Sequence, residues 1–209
     1  MSSKNKKLTI QKTKLILAEG ADAYFFLIWA LEAYSIEDVQ VMDFGGIEEL
    51  DKFMKALTQL DGFDDVETLI VARDAETNFQ KALSDVKISF ENSDLRAPDN
   101  AFEFNEAKPR AAIMIFPGYN SNGQPENGCL ENLCLKTIND PVLESAKSFL
   151  RHINDNHEQL SHEHKSLVHS YLSVKNKFVG SKLGEAARFG AWNWQADVLE
   201  PFKRILENA

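Results

Sequence analysis

Lys14-Leu-Ile-Leu-Ala-Glu-Gly20 is a short apolar run, bounded by polar residues and closed by a tight turn, and it reads as a buried strand. A helix follows at once. Asp22 is placed to cap it, and Tyr24 to Leu31 are so uniformly apolar that this helix must be covered on most sides, as in a layer packed on a sheet.

The same rhythm continues outward from that stretch. Val39 to Met42 is a second strand candidate, closed by Asp43-Phe44-Gly45-Gly46. Ile47 to Leu60 then places Ile47, Leu50, Phe53, Met54 and Leu57 at helical spacing. Glu67-Thr-Leu-Ile-Val-Ala72 is a third, β-branched run that ends in an acidic turn at Asp74, and Thr77 to Val86 reads as helix. Strand and helix alternating in this way predict βαβ units and a parallel sheet. Lys87 to Phe90 and Ala111 to Phe116 are further strand candidates, the second much the stronger. Between them a polar stretch with Pro98 and Pro109 reads as an excursion at the sheet edge.

Pro117 to Gly128, with three glycines, two prolines and three asparagines, is a loop by composition. From Cys129 onward the patterns are helical: Leu130 to Ile138, Pro141 to Ile153, His162 to Val174, Leu183 to Phe189 and Gln195 to Leu206. The expected organisation is an α/β core over residues 1–140, with a mostly parallel sheet of about four to five strands. A helical appendage over 141–209 is expected to pack on it as one structural unit.

Composition bounds the function classes. Hydrophobic residues make up 44% and charged residues 26%, proportions of a folding chain rather than a disordered or fibrous one. The longest uninterrupted apolar run, Ala23 to Leu31, falls far short of the roughly 20 residues that span a bilayer. Lys4, Lys6 and Lys7 make a basic start, but Thr9, Gln11, Lys12 and Lys14 break the segment behind it. No secretory leader is expected, and the expected compartment is the cytoplasm. Two cysteines, Cys129 and Cys134, stand five apart in a helical segment, point to different faces and read as buried free thiols. Lys and Arg number 23 against 32 Asp and Glu, a formal charge of -9. That is the wrong sign for tight binding to nucleic acid through many phosphate contacts, so a polyanionic substrate would need a bridging metal or a local basic patch.

Acids cluster where such a metal would sit. Glu19, Asp43 and the pair Asp74 and Glu76 follow the carboxyl ends of three strand candidates, the edge where open α/β sheets bind ligands. Hard cations such as Mg²⁺ or Mn²⁺ take oxygen ligands and keep several waters, so two or three convergent carboxylates suffice to hold one against phosphate. The competing reading is that these acids cap the helices that follow; for Asp43 the cap is favoured.

A strand ending in Glu19-Gly20, a second leading to Gly45-Gly46, and a third ending in Asp74-Ala-Glu76 together resemble the Toprim domain of topoisomerases, primases and OLD-type nucleases. Gly128-Cys-Leu-Glu-Asn-Leu133, the Lys165 helix ending Ser170-Tyr-Leu172, and Lys182-Leu-Gly-Glu-Ala-Ala-Arg-Phe-Gly-Ala-Trp-Asn-Trp194 resemble small stand-alone prokaryotic Toprim-like proteins of undefined function. The resemblance implies a Toprim-like, Rossmann-like α/β fold. It also implies that Glu19 is a general base or acid and metal contact, that Asp74 and Glu76 bind metal, and that Glu131 joins them. One position departs from the pattern: Toprim domains generally carry aspartate where this chain has Glu76, whose extra methylene lengthens the reach by about the length of a carbon–carbon bond.

Other residues are weighed against plainer roles. Lys165, with Arg188 behind it, could supply positive charge to a phosphate, or be an exposed lysine. Glu126 sits in the glycine-rich loop and is a weaker acid candidate. Gly118, Gly123 and Gly128 recur every five residues without the Gly-Lys-Ser/Thr ending of a P-loop, so a surface loop able to act as a lid is expected. His152, His157, His162, His164 and His169 lack the cysteine pairing of a structural zinc site and read as a solvated helix face. Trp192 and Trp194 read as packing anchors. The expected function is divalent-metal-dependent phosphoryl transfer on nucleic acid, nuclease-like, with Mg²⁺ or Mn²⁺ as cofactor and no membrane contact. A catalytically inactive module that binds metal, nucleotide, a protein partner or a second copy is the alternative, and a protein whose acids only cap helices is the third reading.

Overall fold

Successive side chains of a strand point to opposite faces of its sheet, yet Leu15, Ile16, Leu17 and Ala18 are all completely buried. Both faces are therefore covered, which explains a continuous apolar run instead of an alternating one. The computed structural model describes residues 8–209; Lys4, Lys6 and Lys7 lie outside the described residues. Four parallel strands, β1 (Lys14–Glu19), β2 (Val39–Gly45), β3 (Thr68–Asp74) and β4 (Arg110–Phe116), stand in the order β2-β1-β3-β4. The fold is α/β, Rossmann-like, with helices flanking the sheet.

The helices are α1 (Gly20–Ala33), α2 (Ile47–Leu57), α3 (Phe79–Glu91), α4 (Leu130–Lys136), α5 (Pro141–Asn156), α6 (Glu163–Ser173), α7 (Leu183–Arg188) and α8 (Glu200–Glu207). Two sequence expectations need correction. Lys87 to Phe90 is no strand but the last turn and a half of α3. The Asn78 carboxamide caps that helix by accepting from Lys81 N–H, and Phe79, Ala82, Leu83, Val86 and Phe90 form one buried stripe at 3.6-residue spacing, so helical periodicity overrides the short local pattern. Asp22 does not cap its own helix; its Oδ1 accepts from Gly184 N–H at 3.0 Å, in the first turn of α7.

The polar excursion before β4 shields the outer edge of that strand. Phe102 N–H donates to Ile113 O at 2.9 Å and Asn105 N–H to Ala111 O at 3.0 Å, covering ladder groups that would otherwise be open to another chain. The C-terminal helices share the core of the sheet. Phe202 of α8 stacks on Phe116 at 5.3 Å and meets Phe102 edge-on at 4.8 Å, while Trp194 lies 5.1 Å from Phe26 of α1. Trp192 is buried as well, so both tryptophans are packing anchors. No helix among the described residues is long and apolar enough to cross a membrane.

Candidate metal centre

From β1 the chain turns outward to β2, then returns past β1 to β3 and on to β4. The two carboxyl ends flanking that reversal, β1 and β3, frame the crevice where α/β sheets bind ligands. Glu19 ends the first and Asp74 the second. They meet: Glu19 Oε2 accepts from Asp74 N–H at 3.2 Å.

A third piece of chain closes the crevice. Gly128 exchanges backbone hydrogen bonds with Glu76, at 2.7 and 2.8 Å, and so ties the end of the glycine-rich loop to the turn after β3. Gly128 has φ +135°, and a Cβ there would sit 2.6 Å from Asn132 Oδ1, so glycine is required. Asn132 Oδ1 accepts from Cys129 N–H at 3.0 Å and starts α4, whose first N–H, that of Leu130, donates to Asp74 Oδ1 at 2.9 Å. Ligand atoms of Asp74, Cys129 and Glu131 then all lie within 4.8 Å of one another. Opposed ligands of one Mg²⁺ stand about 4 Å apart, a separation of the same order as that among these three.

The other candidates are distributed around this centre. Lys165 on α6 holds its Nζ 3.9 Å from Glu131 Oε1, half exposed at the rim. Glu76 is exposed, adopts φ +52° and does not belong to the group of three, although its charge is felt at both Glu19 and Asp74. Asp43 neither caps a helix nor joins the centre; its Oδ1 accepts from Gly45 N–H at 2.8 Å and holds the turn at the end of β2. Glu126 pairs with Lys136. Arg188 places its guanidinium over the Trp29 ring at 5.5 Å. The histidines meet only as ring pairs, His152 with His157 and His162 with His164, and none enters a metal-capable group among the described residues.

The family profile described as "Protein of unknown function (DUF3226)" matches residues 13–209. The chain belongs to the DUF3226 family. No curated protein and no solved structure matches it.

In this DUF3226 chain the electrostatics follow from burial. Burial pushes the Asp74 carboxyl up to about 8, with repulsion from Glu19, Glu131 and Glu76 adding to it and the Leu130 N–H working against it. Glu19 is raised as well, burial outweighing the nearby Arg73 guanidinium and the Asp74 N–H. Burial also pushes the Cys129 thiol up, helped by its hydrogen bond to Glu131 and by the charges of Glu131 and Asp74. A set of raised acids favours whatever cation can replace the missing protons.

Two residues of the DUF3226 centre escaped the sequence reading. Both cysteines are buried and free, but Cys129 stands at the N-cap of α4, not inside a helix, and faces the acids. The signal was Asn132 three residues on, the reach-back spacing of a capping box. Arg73, between the apolar run that ends at Ala72 and the acidic turn at Asp74, carries no motif that singles it out. Its side chain is 6% exposed and lies 3.6 Å from both Glu19 and Asp85.

Proposed function

We propose that this protein is a divalent-metal-dependent phosphoryl-transfer protein acting on nucleic acid, nuclease-like in its chemistry. The observation that carries the reading is the convergence of Asp74 with Glu131 and Cys129 at the switch point of a parallel sheet, with Glu19, outside that group of three, accepting from the Asp74 backbone N–H. The likeness of the three strand ends to a Toprim domain supports the same reading. Carboxylate donors suit Mg²⁺ or Mn²⁺, and the adjacent thiol favours the softer Mn²⁺ of the two. Asp74 and Glu131 would hold the ion, with Glu19 beside them and Glu76 able to reach in from the rim. A bound cation would neutralise and align the scissile phosphate.

The chain's own groups supply the rest. Glu19, raised by burial, is suited to take a proton from an attacking water or return one to a leaving oxygen. Lys165, at the rim, is placed to attract phosphate into a molecule that is otherwise acidic. Incubation with labelled single-stranded and duplex nucleic acid in Mn²⁺ is expected to show cleavage, and Glu19→Gln is expected to lower the rate by about 100-fold or more. Cleavage that survives Glu19→Gln overturns the assignment.

A second reading is a metal-binding module without turnover. It is favoured by Glu76, which stands exposed outside the group of three where the resemblance expects a ligand. Mn²⁺ binding without cleavage of any substrate would select it.

A further inference from the structure

Arg73 is the one charged residue that is buried among the described residues, and its guanidinium is engaged on two sides. Towards the metal centre, Nε donates to Asp74 O at 3.2 Å and lies 3.6 Å from Glu19 Oε2. Towards α3, Nη1 donates to Ala82 O at 3.5 Å and lies 3.6 Å from Asp85 Oδ2. Asp85 is itself held by Lys81 Nζ at 2.7 Å, one helical turn away at the surface. A continuous line of alternating charge therefore runs from the face of α3, through Arg73, to the carboxylate at the end of β1.

Burying a guanidinium is costly, and an apolar side chain would fill the same volume at less cost. A planar fork that touches two acids in fixed directions does something that packing does not: it sets orientation. We propose that Arg73 is the positioning residue of the metal centre, anchored by Asp85 and α3, and that it holds the Glu19 carboxylate where a divalent cation needs it. The proposal rests on the metal reading above and deepens it. Two effects of Arg73 on a bound cation oppose each other. Its charge repels the cation and weakens binding, whereas its hold on Glu19 strengthens it. Lysine keeps the charge and loses the fork, so Arg73→Lys isolates the second effect.

The test is a double-mutant cycle read by Mn²⁺ titration, following free Mn²⁺ by electron paramagnetic resonance, with no nucleic acid present. Arg73→Lys is expected to weaken Mn²⁺ binding about tenfold in the otherwise native protein, and by less than about twofold in a Glu19→Gln background, because its action passes through Glu19. Asp85→Asn, on the surface-facing side of the line, is expected to show a smaller loss with the same dependence on Glu19; it carries the cycle alone if Arg73→Lys does not fold. Equal losses in both backgrounds, or native affinity in Arg73→Lys, overturn the positioning role and leave the metal reading standing. Native protein that binds no Mn²⁺ overturns both.

Discussion

Asp74 carries the largest conflict in the molecule at the scale of one residue. Its Oδ1 accepts from Leu130 N–H in the first turn of α4, 56 residues away, whereas the helix that follows it in the chain is capped by Asn78. The reading of a strand-end acid as the cap of the next helix therefore fails here, and a distant helix takes its place. The cap and the metal ligand are the same side chain. Burial among Glu19, Glu131 and Glu76 pushes its carboxyl up to about 8, so above that pH the ionised form strains the fold unless a cation compensates. Asp74→Asn keeps an acceptor for Leu130 and removes the charge. In metal-free buffer at pH 8 it is expected to melt several degrees above the native protein, and the margin to shrink steadily as the pH falls towards about 4, where the unfolded chain also keeps the proton. The variant is also expected to lose its melting response to Mn²⁺. A fall in melting temperature at pH 8 would show that the carboxylate is compensated in some other way. Of the candidate acids, Glu19 and Asp74 are marked by their places at strand ends, whereas Glu131 is pointed to only by the resemblance. That Asp43 folds back on Gly45 could not, because a turn bond between neighbours looks the same in sequence as a free side chain.

Among the elements, the close contact of α1 with α7 ties the C-terminal helices to the first βα unit. Gly184 makes the approach: a Cβ there would lie 2.6 Å from Phe25 Cβ and 3.2 Å from Asp22 O, while its N–H is bound to Asp22 Oδ1. Gly184→Ala is expected to force the two helices apart and to destabilise the protein by about 1–3 kcal/mol, seen as a lower denaturation midpoint. An unchanged midpoint would mean that the backbones part without loss. Most elements were legible because their stripes are long. Lys87 to Phe90 was misread because four residues cannot distinguish a strand from the end of a helix; the stripe that settles it begins at Phe79. The C-terminal segment from Gln195 divides for a local reason, with a 3-10 turn at Asp197–Leu199 and a proline in the first turn of α8.

For the whole molecule, acids act on stability from both ends of the pH scale. The half-buried carboxylates Asp51 and Asp140 are held low, first of all by their hydrogen bonds to Lys55 and Lys175. Their support is present above the ordinary carboxylate range and is lost as the pH falls through it. Asp74 has the opposite sign. Between about 4 and about 8 its folded form keeps a proton that the unfolded chain has released, so raising the pH across that window lowers stability. Metal-free protein is therefore expected to melt lower at pH 8 than at pH 6, and a divalent cation at 100 times its dissociation constant to add about 2.7 kcal/mol, closing the gap. A melting temperature indifferent to Mg²⁺ and Mn²⁺ at pH 8 would return the acids to helix capping alone. The order of strands and helices follows from the sequence itself, since apolar periodicity is a local property and these strands, buried on both faces, are written as unbroken runs. Only the tertiary structure decided which acids meet, that Cys129 and Arg73 stand among them, and that Asp74 serves a distant helix. Those facts depend on strand order and on a loop that returns to the sheet edge, and such long-range contacts leave no periodic trace along the chain.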